Sequence, residues 1–272
     1  MASRSSFPSG VADAASGRPG KHRAEPDSGM SGGLFTSAAL DYVSHHGADG
    51  PGAARAIQIL QAGCATADGD LDLAALRASR CAMTLTLLDD DNEISRAAVA
   101  GRADLRRAVL GDLRAAPLLP RSADIVHCCL LLDRISHADI VLGHLVDALR
   151  PGGLLLLRTA DRETAAGFLD RVLPGPLRRL VWRSLRAGEP GPYPAVYEPL
   201  TSPRGIASFA TRHDLVISRR EASSRLDSPQ RRPVIHAARW LVATVTRGRL
   251  TAAHDELRYV IRKPEDRFAR VL

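Results

Sequence analysis

The sequence predicts an α/β protein built on a doubly wound, mostly parallel sheet, and three observations carry that prediction. Leu154 to Leu157 are four consecutive leucines with no polar neighbour among them, the mark of a strand covered on both faces. Just before them, Ile140, Val141, Leu145, Ala148 and Leu149 recur at helical spacing, and Pro151, Gly152 and Gly153 end that helix in a tight reversal. Further upstream, residues 124–130 (DIVHCCL) form another apolar strand. Strand, helix and strand in that order make a βαβ unit.

The remaining elements follow along the chain. Residues 1–33 are rich in Ser, Gly, Pro, Ala and Arg and read as a disordered tail. Leu34 to His46 reads as a short helix anchored by Leu40, Tyr42 and Val43. Ile57 to Leu60 is a strand entering a turn of small residues, and Leu71, Leu73, Ala74 and Leu76 mark the helix after it. Thr84 to Leu88 is the second strand, Ile94 to Leu105 a helix, and Ala108 to Leu110 a short third strand. Residues 124–130 and 154–157 are the fourth and fifth strands. Ala165 to Arg186 is helical, interrupted at Pro174, Gly175 and Pro176. Gly205 to Thr211 is a helix, Leu215 to Ser218 the sixth strand and residues 256–262 the last. Residues 219–232 read as an Arg- and Ser-rich loop, and Val234 to Val245 as an amphipathic helix. That helix either packs on the core, the commoner arrangement, or forms a lid or a membrane-surface contact. Residues 34–272 thus read as one domain, with 183–204 and 219–250 as cap or substrate-side insertions.

Composition narrows the function. With 45% hydrophobic and 25% charged residues the chain has the make-up of a globular protein, and no apolar run approaches the roughly 18 residues that cross a bilayer. Net charge is +7, and all 37 basic residues except Lys21 and Lys263 are arginine, the usage of a GC-rich bacterial genome. The arginines are scattered beside acidic residues, so they describe solvated faces and give no clear nucleic-acid footprint, while peripheral membrane contact stays open. Cys64, Cys81, Cys128 and Cys129 have no metal-ligand spacing. A reducing, cytoplasmic compartment and no metal are the expectations.

Candidate ligand-binding residues gather at the carboxyl ends of the predicted parallel strands, where open α/β sheets bind their ligands. The strand-turn-helix at residues 57–79 puts Gly63, Cys64 and Ala65 where a helix N-terminus directs its N–H groups at a ligand. Asp89 ends the second strand and can accept both hydroxyls of a ribose, with Asp90 next to it as an alternative. Asp112, after the third strand, can meet an adenine amino group. Each has a plainer role available: Gly63 as a simple turn, Asp89 as a helix cap, Asp112 as a turn residue.

In this order and content the chain resembles the class I S-adenosylmethionine-dependent methyltransferases, over roughly Ile57 to Arg262. Residues 60–67 (LQAGCATA) resemble the glycine-rich first motif, 87–91 (LLDDD) the acidic ribose motif, and 110–113 (LGDL) with 124–126 the adenine-proximal turn and fourth strand. Residues 149–155 (LRPGGLL) are the most specific match. The resemblance implies a seven-stranded sheet closed by a C-terminal antiparallel hairpin, S-adenosyl-L-methionine as cofactor and a small-molecule acceptor. It extends the cofactor contacts to Leu113 and Cys128. It makes His137 the candidate base for an acceptor that must lose a proton, against a plain helix-start role. Tyr193 and Tyr197 become candidates for the acceptor pocket, against loop packing. Gln61 stands where the family carries an acid, and Ala65 and Ala67 stand where it carries glycine. Those departures support the alternative of a catalytically silent relative with a binding or regulatory role.

Overall fold

The leucine run lies in the middle of β5 (Leu149–Ala160), the longest strand of a seven-stranded sheet seen in the computed structural model. The other strands are β1 (Ile57–Ala62), β2 (Met83–Asp89), β3 (Leu105–Leu110), β4 (Ala123–Cys129), β6 (Val216–Ser223) and β7 (Glu256–Arg262). Their order is β3-β2-β1-β4-β5-β7-β6. Strands β1 to β5 are parallel, whereas β7 is antiparallel to both β5 and β6. This is the doubly wound sheet with a C-terminal hairpin that the sequence predicts. The structure describes residues 33–46, 55–63, 70–79, 81–185, 192–224 and 240–265. The predicted tail over residues 1–33 therefore lies, but for Gly33, outside the described residues.

Helices α1 (Leu34–His46), α2 (Leu73–Ala78), α3 (Glu93–Ala100), α4 (Ala138–Ala148), α5 (Ala165–Val172), α6 (Gly175–Leu185) and α7 (Pro203–Arg212) accompany the sheet. Side chains alternate between the faces of a strand, so the core divides in two. Leu60, Ala62, Val126, Cys128, Leu155 and Leu157 point to one face and pack with Val141, Leu142 and Leu145 of α4 and Ile206 and Phe209 of α7. Ile57, Ile59, Ile125, Leu154 and Leu156 point to the other and pack with Phe35, Ala39 and Val43 of α1 and Leu76 of α2.

Four local expectations are corrected. The helix read over Ile94–Leu105 stops at Ala100, with Gly101 at its C-terminus, and Leu105 opens β3. Strand β3 was under-read because it is a sheet edge, where Arg106 and Arg107 stand in solvent and hide the apolar pattern. Strand β5 begins before Pro151, not after Gly153. Leu149 pairs with Ala123 and Leu154 with Ile125, so residues 150–153 form an irregularity at the strand's start, with Gly152 at φ 79°. Strand β6 continues through Arg219 and Arg220 to Ser223, where a loop was expected, because β7 supplies a hydrogen-bonding partner along its whole length. Of the helix read over Val234–Val245, residues 240–245 are described and helical, and Leu241 and Val245 are exposed there.

Candidate functional site

The strand order reverses between β1 and β4, the point at whose carboxyl ends open α/β sheets bind their ligands. Strand β1 ends at Ala62, and Gly63 turns the chain with φ 72°. Its N–H donates to the Leu88 carbonyl at 2.9 Å, which fixes the bend against the end of β2. A Cβ at this position would stand 2.7 Å from the Cys129 carbonyl oxygen and 2.8 Å from the Leu131 Cβ. The glycine is thus demanded by the handedness of the turn and by the close approach of the chain after β4. Cys64 and Ala65, predicted beside it, lie outside the described residues, as does Ala67.

One strand over, Asp89 closes β2 and is fully buried. Its Oδ1 accepts the Asp90 N–H at 2.9 Å and is ion-paired with the Arg134 guanidinium. Arg134 comes from the turn after β4 and is itself buried. Its Nε lies 3.5 Å from Asp90 Oδ2, and its Cζ sits 4.5 Å from the centre of the Tyr193 ring. Burial lowers the guanidinium's proton affinity, but Asp89 and Asp90 outweigh it and hold the charge firmly. For Asp90, burial raises the carboxyl pKa above its ordinary value, with Asp89 adding to the rise and Arg134 opposing it. Sequence reasoning missed Arg134: the pair joins residues 45 apart in sequence, and no local pattern announces such a partner.

The other predicted site residues separate into those near this cluster and those turned from it. Asp112 caps the short 3-10 turn Leu113–Ala115 and is exposed, its carboxyl held down near about 2 by the Arg114 guanidinium and backbone N–H. Leu113 is buried in the main core. The Cys128 side chain is fully buried in the core facing α4, and burial pushes its thiol well above the ordinary range. His137 is exposed and stands at the start of α4 with φ 57°, its side chain capping nothing. Its backbone N–H and that of Ala138 instead donate to the two oxygens of Glu198, at 2.7 and 2.9 Å. This carboxylate on a helix N-terminus, also missed from sequence, satisfies orphan donors and complements the helix dipole.

Tyr193 and Tyr197 both lie on the segment 192–198, which crosses the turn after β4. The N–H groups of Val196 and Tyr197 donate to the Asp133 carbonyl, each at 3.0 Å. Tyr193 covers Arg134, and its ring meets Trp182 of α6 edge-on at 6.2 Å. Tyr197 turns away: it is buried, its hydroxyl donates to Asp170 of α5 at 3.1 Å, and Arg171 approaches its ring. Gln61 is buried on β1 and accepts from Arg102 at 3.0 Å. Among the described residues no group of three or more His, Cys, Asp or Glu is arranged to hold a metal, and no helix is long and apolar enough to cross a membrane.

The structure therefore joins Asp89, Asp90 and Tyr193 around Arg134, sets the Gly63 bend beside the end of β2, and leaves Cys128, Tyr197 and the Asp112 carboxylate engaged elsewhere. No family model and no curated protein matches the chain. Among solved structures, a candidate sarcosine dimethylglycine methyltransferase of Galdieria sulphuraria aligns with TM-score 0.51 and 14% identity, over 85% of this chain and 84% of that one. An S-adenosylmethionine-dependent methyltransferase of Mesorhizobium loti aligns with TM-score 0.45 and 18% identity, over 76% and 91%. With β7 inserted antiparallel between β5 and β6, and with the first of these matches, the chain has the fold of the class I S-adenosylmethionine-dependent methyltransferases.

Proposed function

We propose that this protein is an S-adenosyl-L-methionine-dependent methyltransferase acting on a small-molecule acceptor by in-line transfer. The observation that carries the proposal is the adjacency of the Gly63 bend and the Asp89 carboxylate at the carboxyl ends of the neighbouring strands β1 and β2, next to the point where the strand order reverses. The residues fit a nucleoside in chemistry. Asp89 offers a buried acceptor for the ribose hydroxyls and Asp90 a second one. Leu113 and Asp112, after β3, sit on the adenine side. When bound, the cofactor supplies a methyl group on a sulfonium centre. The chain's own part is to align that group with the acceptor, a contribution of about 7–11 kcal/mol when the geometry is good. Tyr193, lying on Arg134, forms the wall toward the acceptor. His137 remains the candidate base for an acceptor that must lose a proton, acting in a reducing cytoplasm that keeps Cys81, Cys128 and Cys129 as thiols.

Titration calorimetry with S-adenosylmethionine and S-adenosylhomocysteine tests the binding half of this reading. Transfer of labelled methyl to extracted small molecules tests the other half. Binding with turnover supports the enzyme, and silence at millimolar ligand rejects it. A second reading has its own observations: Arg134 holds the carboxylate that ribose needs, and Gln61, in place of an acid, is held by Arg102. On that reading the chain is a silent relative that binds or regulates. Restoring glycine at Ala65 and Ala67 separates the two. A sharp gain in affinity marks an impaired loop, whereas unchanged affinity marks alanines that the native site accommodates.

A further inference from the structure

We infer that Arg134 is a gate on the nucleoside site: it pairs with the Asp89 carboxylate, and a nucleoside enters by displacing it. The inference rests on the methyltransferase reading of the site. Asp89 ends β2 and Arg134 follows β4, and β1 lies between those strands. Neighbouring strands are about 4.8 Å apart, so the ion pair spans roughly 10 Å across the end of β1. That path crosses the point where the strand order reverses, the place a ligand of this sheet would occupy. Both ends of the pair are withdrawn from water, with side-chain exposures of 3% for Arg134 and 0% for Asp89.

The chemistry of the occupant matches that of the ligand it would yield to. A guanidinium and a ribose diol are both paired donors toward one carboxylate, so they compete for the same oxygens. A second partner is already at hand, because Nε of Arg134 stands 3.5 Å from Asp90 Oδ2. Displacement from Asp89 thus leaves the charge beside Asp90 instead of stranding it in the core. Movement at Arg134 also reaches the segment above. Tyr193 lies on the guanidinium, and the Asp133 carbonyl, one residue before Arg134, accepts from Val196 and Tyr197. Entry of the nucleoside therefore loosens residues 192–198, which cover the acceptor side.

The test uses the full chain as wild type, Arg134→Met and Arg134→Lys, with S-adenosylhomocysteine as the probe. Affinity is read by calorimetry, and urea melts establish that each variant is folded. The Met variant is expected to bind at least about tenfold more tightly than wild type, and Lys, which lacks the planar fork, to fall between them. In the wild type, hydrogen exchange at the amides of Val196 and Tyr197 should quicken on binding. Folded variants that bind no better than wild type overturn the gate, as does unchanged exchange at those amides. If Arg134→Met does not fold, the Lys variant decides. Equal binding by all three forms leaves the methyltransferase reading standing and removes the gate. If none of the three binds, the nucleoside reading itself falls, and the gate with it.

Discussion

Asp89 and Asp124 are buried carboxylates at opposite ends of the sheet, and their surroundings predict different costs of removal. Asp124 begins β4 and accepts from Arg55 and Arg150, each at 2.6 Å, and from the Gln58 N–H at 2.8 Å. Those two arginines keep substantial exposure and can return to water, so Asp124→Ala chiefly orphans one backbone donor and loses charge-assisted bonds. Its expected cost is about 1–3 kcal/mol. Arg134 is buried and cannot return to water, and Asp89→Ala leaves it only the longer contact to Asp90, so the expected cost is higher, about 3–5 kcal/mol. Urea denaturation of both variants checks the order, and a larger loss for Asp124→Ala would contradict it. His127 makes a different prediction. It is fully buried beside Phe35, and burial, with the Arg158 charge adding, pulls its pKa down to about 4. The unfolded chain takes up a proton near pH 6.5 that the folded chain refuses until about pH 4. The stability that His127 contributes is therefore whole above pH 6.5 and falls by up to about 3 kcal/mol as pH drops to 4. Stability differences between wild type and His127→Gln, measured across that window, should move in the variant's favour as pH falls. A difference that stays constant with pH would rule this out.

Helix α7 is joined to the rest of the fold by its first turn. Ser202 caps it by accepting the Gly205 N–H at 3.0 Å, and Pro203 fills a position where no N–H is needed. The 3-10 turn Pro199–Thr201 runs directly beneath, so a Cβ on Gly205 would stand 2.1 Å from the Pro199 carbonyl oxygen and 2.7 Å from the Leu200 Cα. Backbone cannot yield at that distance without lifting the helix. Gly205→Ala is expected to cost at least about 2 kcal/mol, against the few tenths gained by the same change in an open helix. Its effect should also travel, because Glu198, immediately before the turn, caps α4. Amide exchange at His137 and Ala138 should therefore quicken in the variant, and a folded Gly205→Ala protein with wild-type stability would show that the contact is not rigid. None of this linkage is visible in the sequence. There Gly205 reads as an ordinary helix start, since the atoms that require it belong to a neighbouring turn.

At the scale of the molecule, what could be read in the sequence follows from what each pattern reports. The run Leu154–Leu157 announced a strand because burial on both faces favours an unbroken apolar run, and residues 125–130 read the same way with His127 as the one polar interruption. Edge strands were read poorly for the converse reason: β3 and β6 carry exposed arginines, and pairing on one side alone tolerates them. Strand-end positions such as Gly63 and Asp89 were legible because topology sends every parallel strand's carboxyl end to the same edge. Which side chains meet there was not legible, since Arg134 finds Asp89 through the fold and not through spacing. That distinction sets the last prediction. A ligand that binds only the folded state stabilises it by about 2.7 kcal/mol at a hundred times its dissociation constant. For a unit the size of Gly32–Leu272 that corresponds to a rise of roughly 5–10 °C in Tm. Thermal melts in rising S-adenosylhomocysteine should show Tm climbing with the logarithm of its concentration. Because the ligand must replace Arg134 at Asp89, the wild-type rise at a given concentration should be smaller than that of Arg134→Met, even if the variant melts lower without ligand. Equal rises would mean that the ion pair survives binding, and the nucleoside would then have to be held by some other acceptor.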